Sequence, residues 1–188
     1  MKSSMIKTGT ILASFLLAAC LPTHAEVKLP AIFSDGMVMQ QQTNANLWGT
    51  ATPNRKVTVT TSWNMKQYVA TADKNGAWKL TVATPEAGGP YTVTFDDGSK
   101  KTLNNILIGE LWLCSGQSNM EMPMKGFKNQ PVENANMDIL HSKNPEIRLF
   151  TVKRTSTFTP QNDVVGSWKE AAPASAVSYT HLTLPTIA

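Results

Sequence analysis

A serine stands at position 118 inside Ser115-Gly116-Gln117-Ser118-Asn119, directly after the apolar run Leu111-Trp112-Leu113-Cys114. One hydroxyl left at a sharp bend after an apolar run is how a strand presents a nucleophile. Ile106-Leu107-Ile108 and Leu111 to Cys114 have the length and apolar density of a buried strand, and Gly116 supplies backbone freedom for a tight exit turn. In open α/β sheets, ligands sit beyond the carboxyl ends of the strands, which is where Ser118 falls. Cys114 is the competing nucleophile. Its place within the apolar run rather than at the turn reads as packing, so Ser118 is preferred.

A serine hydroxyl needs a base to take its proton and aimed donors for the oxyanion. The backbone N–H of Ser118 is the natural first oxyanion donor, and Gln117 and Asn119 are placed to fix the loop by hydrogen bonds. The chain holds three histidines: His24 in a leader-like segment, His181 in the tail, and His141 in Asp138-Ile139-Leu140-His141. His141 is the local candidate base. The competing reading is an exposed helix end where a histidine complements the dipole. No histidine or cysteine cluster has ligand spacing, so neither a metal nor another cofactor is expected.

The elements that must position this serine divide the chain. Residues 26–105 read as short strands: Val57, Val59 and Thr61 alternate with polar residues, Tyr68 to Thr71 leads to the turn Asp73-Lys74-Asn75-Gly76, and Trp78, Leu80 and Val82 alternate next. After the loop from Pro85 to Pro90, Tyr91, Val93 and Phe95 alternate before Asp96-Asp97-Gly98. That rhythm indicates an antiparallel β-sandwich. Trp48 and Trp78 read as core, whereas Trp63, between Ser62 and Asn64, is the fairer candidate for stacking on a sugar. Beyond Ser118, apolar Val132, Ala135, Ile139 and Leu140 predict a helix ending before Asn144-Pro145, and Ile147 to Val152 predict a buried strand. A strand, a helix and a strand begin a parallel α/β sheet, and the methionines around Ser118 could wall a small acyl pocket.

Residues 1–25 read as an export signal, with Lys2 and Lys7 ahead of an apolar run too short to span a bilayer. Cleavage after Thr23-His24-Ala25 gives a soluble periplasmic or secreted protein; cleavage before Cys20, in Leu17-Ala18-Ala19-Cys20, gives a lipid anchor and no membrane span. The first is preferred. Without Lys2 and Lys7, 15 basic residues face 13 acidic ones and the basics are scattered, which argues against a nucleic-acid partner. Residues 177–188, opening Val177-Ser178-Tyr179-Thr180-His181, resemble a translated transposase sequencing adapter and are set apart from the fold.

The block from Leu111 to Pro123 resembles the nucleophile block of the sialate O-acetylesterase family, serine esterases of the SGNH-hydrolase type. The resemblance extends to Val27-Lys28-Leu29-Pro30, to Ile32 through Gln41, to Leu47-Trp48-Gly49, to Pro145 through Phe150 and to Gly166-Ser167-Trp168-Lys169. It implies a multidomain α+β fold: an N-terminal antiparallel β-sandwich (26–105), then the truncated start of an α/β/α, flavodoxin-like hydrolase domain (106–176). It implies Ser118 as nucleophile toward acetyl esters and an O-acetylated carbohydrate as substrate. The family's base stands in a late Asp-x-x-His block and a further oxyanion asparagine in a Gly-Glu-Ser-Asn block, and neither occurs here in its expected place. The expectation is therefore a full-length carbohydrate acetylesterase of which this chain is an inactive fragment. The competing class is a secreted, non-catalytic β-sandwich that binds carbohydrate.

Overall fold

The computed structural model describes residues 26–116 and 120–178. These residues are mostly β. The strands are β1 (Val38–Gln40), β2 (Asn44–Thr50), β3 (Lys56–Thr61), β4 (Gln67–Thr71), β5 (Ala77–Ala83), β6 (Gly88–Asp96), β7 (Lys100–Gly109), β8 (Asn144–Phe150) and β9 (Trp168–Ala171). Two short helices, α1 (Ala135–Leu140) and α2 (Pro173–Ala176), accompany the late strands. The main sheet has the order β1-β7-β6-β3-β4, while β2 pairs with β5 and β8 with β9. β1 runs parallel to β7, and the other pairings are antiparallel.

The period-2 patterns decide which side chains go inside. On β3, Val57, Val59 and Thr61 are buried; on β5, Trp78, Leu80 and Val82 are. They meet Val93, Phe95, Leu103, Ile106 and Ile108 in one core. Buried Thr61 is satisfied because its hydroxyl donates to Asn64 Oδ1 at 2.7 Å. The turn after β4 forms as its residue types demand, with Asp73 Oδ1 accepting the N–H groups of Asn75 and Ala77.

β7 runs unbroken across residue 106 to Gly109 and buries Ile106 and Ile108 in the same core as Leu103. Leu103 and Ile106 are an odd number of residues apart, so both can face inward only if one extra residue is absorbed. Asn105 absorbs it with φ 56°. Leu111 to Cys114 are not the rest of a buried strand: they are outside any strand and exposed. Nor does β8 join a parallel sheet among the described residues. Its partner is antiparallel β9, and with no described layer above it Ile147 stays exposed. The helix is also shorter than expected, since left-handed Asn134 (φ 57°) precedes its first turn and only Ala135 is buried.

Candidate functional site

The serine block leaves the fold from the end of β7, and that exit is held from the neighbouring strand. The parallel register sets Gln40 beside Gly109, and the next residue, Gln41, donates its N–H to Gly109 O at 2.8 Å. Both side chains then reach Glu110: Gln41 Nε2 donates to Oε1 at 2.6 Å and Gln40 Nε2 to Oε2 at 3.1 Å. The carbonyl oxygens of the two amides are also used. Gln40 Oε1 accepts Leu111 N–H at 2.8 Å, and Gln41 Oε1 accepts Ala87 N–H at 2.9 Å. Gln41, then Gln40, hold the Glu110 carboxyl below the usual carboxylate range by hydrogen bonding to its charged form.

Ser118, Gln117 and Asn119 lie outside the described residues, so the residues bracketing them define what is placed. Gly116 is in the described chain, and its φ is not left-handed. Its contribution is room: a Cβ there would stand 2.9 Å from Met120 Cγ, so the Met120 side chain packs closely against Gly116. Cys114, expected to pack in a strand, is an exposed free thiol. Downstream, Glu121 pairs with Arg154 at 2.7 Å on the surface.

His141 caps the carboxyl end of α1, its N–H bonding to Met137 O at 3.0 Å, and its side chain is exposed. Among the described residues no hydrogen bond joins its ring to Asp138, so a local acid–histidine pair is not assembled. Among the described residues there is also no group of three metal-binding side chains and no helix long and apolar enough to cross a membrane. The signal segment with Cys20, and residues 179–188 with His181, fall outside the described residues.

The aromatic side chains considered for sugar stacking are engaged in packing. Trp78 is buried in the core, and Trp63 meets Tyr91 edge-on while its indole N–H donates to Ala83 O at 3.0 Å. Trp48 packs edge-on against Phe33 and donates to Asn162 O at 3.0 Å. Beside it, Gly49 has no side chain for a steric reason: a Cβ there would lie 2.4 Å from Lys28 O and 3.1 Å from the Trp78 ring.

A second polar centre, to which the sequence assigned no role, ties the later strands to the first sheet. Arg148 on β8 is 3% exposed in its side chain; it pairs with Glu170 at 3.2 Å, donates to Asn105 Oδ1 at 3.2 Å and also donates to Pro145 O. Asn105 Nδ2 closes the triangle by donating to Glu170 Oε1 at 3.3 Å. Trp168 on β9 donates from its indole to Ile32 O at 2.8 Å, and Ala31 N–H donates to Asp163 Oδ1 at 2.7 Å. A cleft of about 190 Å³ opens at this joint between Asp35, Asn105, Arg148 and Glu170. The clamp and the joint were hidden because each joins residues far apart in the chain. The sequence signal was the placement of polar residues, Gln40-Gln41 and Arg148, inside or directly after apolar strands.

Comparison with known proteins gives a consistent set of relatives. The chain is 28% identical to a sialate O-acetylesterase of Pongo abelii over 148 residues, covering 73% of this chain and 28% of that protein. It is 31% identical to the sialate O-acetylesterase of Mus musculus over 127 residues, covering 62% of this chain and 23% of that protein. Among solved structures, it superposes on a carbohydrate acetylesterase from Xanthomonas citri with a TM-score of 0.75 and 30% identity, covering 82% of this chain and 35% of that one. The chain thus spans about a quarter to a third of the length of these relatives. No family model matches it.

Proposed function

This chain is a homologue of the sialate O-acetylesterases, and from that premise we propose that it is the leading part of an exported carbohydrate O-acetylesterase with Ser118 as nucleophile. The observation that supports this most is the superposition on a carbohydrate acetylesterase over 82% of the chain at 30% identity. In this reading the β-rich portion is an N-terminal β-sandwich. The residues from Glu110 onward begin an SGNH-type α/β/α domain, completed by later polypeptide of the kind the longer relatives contain.

Ser118 Oγ attacks the acetyl carbonyl carbon while a histidine takes its proton. The tetrahedral oxyanion is held by the Ser118 N–H and further donors, and the histidine then protonates the leaving sugar oxygen. Water hydrolyses the acetyl-serine by the reverse proton path. Exposed His141, unpaired with Asp138, is a poor base, so the base is assigned to the later polypeptide and the 188-residue chain alone is inactive. The substrate class is O-acetylated carbohydrate, with sialic acid and plant polysaccharides such as xylan as the two acetyl sources. Export proceeds through the leader, with a soluble product preferred over one lipidated at Cys20.

The test is acetate release from O-acetylated sialic acid and from acetylated xylan by the read-through gene product. Ser118→Ala is expected to lower kcat by about 10⁴-fold or more, and an organophosphonate is expected to label Ser118 in the parent. Equal hydrolysis with and without the serine would falsify the nucleophile assignment. Hydrolysis by the 188-residue chain that disappears in His141→Ala would move the base to His141.

A further inference from the structure

We infer that the clamp of Gln40, Gln41 and Glu110 is a positioning device for the serine block, aiming the segment that carries Ser118 as it leaves β7. This rests on the serine assignment proposed above. Leu111 to Gly116 belong to no strand and their large side chains are exposed, so neither a ladder nor a core sets their direction. What fixes their origin is the hydrogen-bonded set at Glu110 and Leu111. Seven residues lie between Glu110 and Ser118, so the clamp fixes where the short segment that leads to the nucleophile leaves the sheet.

The clamp is chemically specific rather than merely polar. Each glutamine accepts a backbone N–H on its oxygen and donates from its nitrogen to the carboxylate. Both amide orientations are therefore settled by their partners. The two amide donors meet the two oxygens of a single ion, the stronger kind of hydrogen bond. Gln40 is itself anchored, since its backbone carbonyl oxygen accepts the Thr84 hydroxyl at 2.7 Å while Thr84 Oγ1 accepts Thr43 N–H at 3.0 Å. Glu110 is in this reading a positioning residue. It acts through the direction it gives the chain.

Donor and acceptor counting supplies the experiment. Glu110→Gln keeps the shape but sets an amide NH₂ against one glutamine NH₂, leaving two donors facing each other. Gln41→Glu combined with Glu110→Gln restores every pair. The carboxylate then at position 41 would accept from Ala87 N–H and from the new amide at position 110, whose oxygen accepts from Gln40. In the read-through gene product, Glu110→Gln is expected to slow organophosphonate labelling of Ser118 and lower kcat by about tenfold or more with KM nearly unchanged, and the double exchange is expected to recover both to within about threefold. Amide exchange at Leu111, read in the same proteins, is expected to quicken in the single variant and slow again in the double. Labelling and kcat unchanged in Glu110→Gln, with faster exchange at Leu111, overturn the positioning role and leave the serine assignment standing. No labelling of Ser118 in the unaltered protein overturns both. Failure of the double exchange to restore kcat while Leu111 protection returns also overturns it.

Discussion

Residues 26–109 and residues 110–176 are built on different terms. The large buried side chains belong to the first: the core from Val27 to Ile108 includes Phe95, Leu47, Ile106 and several valines without exposed surface. In the second, the buried apolar side chains among the described residues are alanines, Ala135, Ala171 and Ala176, while Leu113 is 95% and Trp112 72% exposed. Apolar burial is the dominant favourable term in folding, so the first part holds itself together and the second is held to it by Arg148, Trp168 and the clamp. Of the sequence blocks that resemble the sialate O-acetylesterases, Ile32 to Gln41, Leu47 to Gly49, Pro145 to Phe150 and Gly166 to Lys169 supply the contacts by which one part carries the other.

The contrast breaks first at the core. Phe95→Ala is expected to cost about 3–5 kcal/mol, because it removes a fully buried ring that packs against Trp78 at 5.9 Å between centroids. Urea unfolding followed by tryptophan fluorescence measures it, and a loss below about 1 kcal/mol would remove the distinction between the two parts. The next effect falls at the joint. Arg148→Ala is expected to cost about 1–3 kcal/mol, since it strips the pairing of Asn105 and Glu170 and the packing of a buried stem. Hydrogen exchange should show β8 and β9 loosened while β3 and β6 keep their protection. Equal loosening everywhere would mean that the two parts fold as one unit.

How much of this could be read beforehand follows the same divide. Val57, Val59, Trp78, Leu80, Val82, Val93 and Phe95 were legible as inward-facing because alternation records a strand with one wet face. Leu111 to Cys114 misled because a four-residue apolar run reports a preference for burial without naming the partner that supplies it. Ile106 and Ile108 were assigned to that run, although they continue the alternation of β7 once Asn105 absorbs a residue. Helix α1 began late because nothing in the composition of Pro131 to Asn134 announces a left-handed Asn134. The serine block stood out by its residue types, but the clamp at its origin did not: Gln40 and Glu110 are 70 residues apart, and the parallel pairing of β1 with β7 brings them together.

A smaller effect sharpens the contrast from the exposed side. Leu113→Lys is expected to change stability by less than about 0.5 kcal/mol, because a side chain already in water gives up no burial. The same change should raise the concentration at which the 188-residue chain stays monomeric, by breaking the apolar strip it shares with Leu111 and Trp112. Light scattering at increasing concentration measures this. A large loss of stability would show that Leu113 is covered in solution and that the second part has more core than its exposed residues indicate.

The smallest effect is set by pH at the seam between the two parts. Hydrogen bonds from Gln41 and then Gln40 favour ionised Glu110, so its folded pKa lies below that of the unfolded chain. A group depressed in this way contributes its full stabilisation above the unfolded pKa and loses it as pH falls through the folded one. Leu111 amide protection, corrected for intrinsic exchange, should therefore stay level near neutrality and decline only below the usual carboxylate range. In Glu110→Gln the same amide should show weak protection with no acid-side decline, because the group that titrates is gone. Because Glu110 is fully exposed, salt should narrow the difference between the two proteins. An acid-side decline that survives in Glu110→Gln would assign the loss to another group and separate the clamp from the stability of the seam.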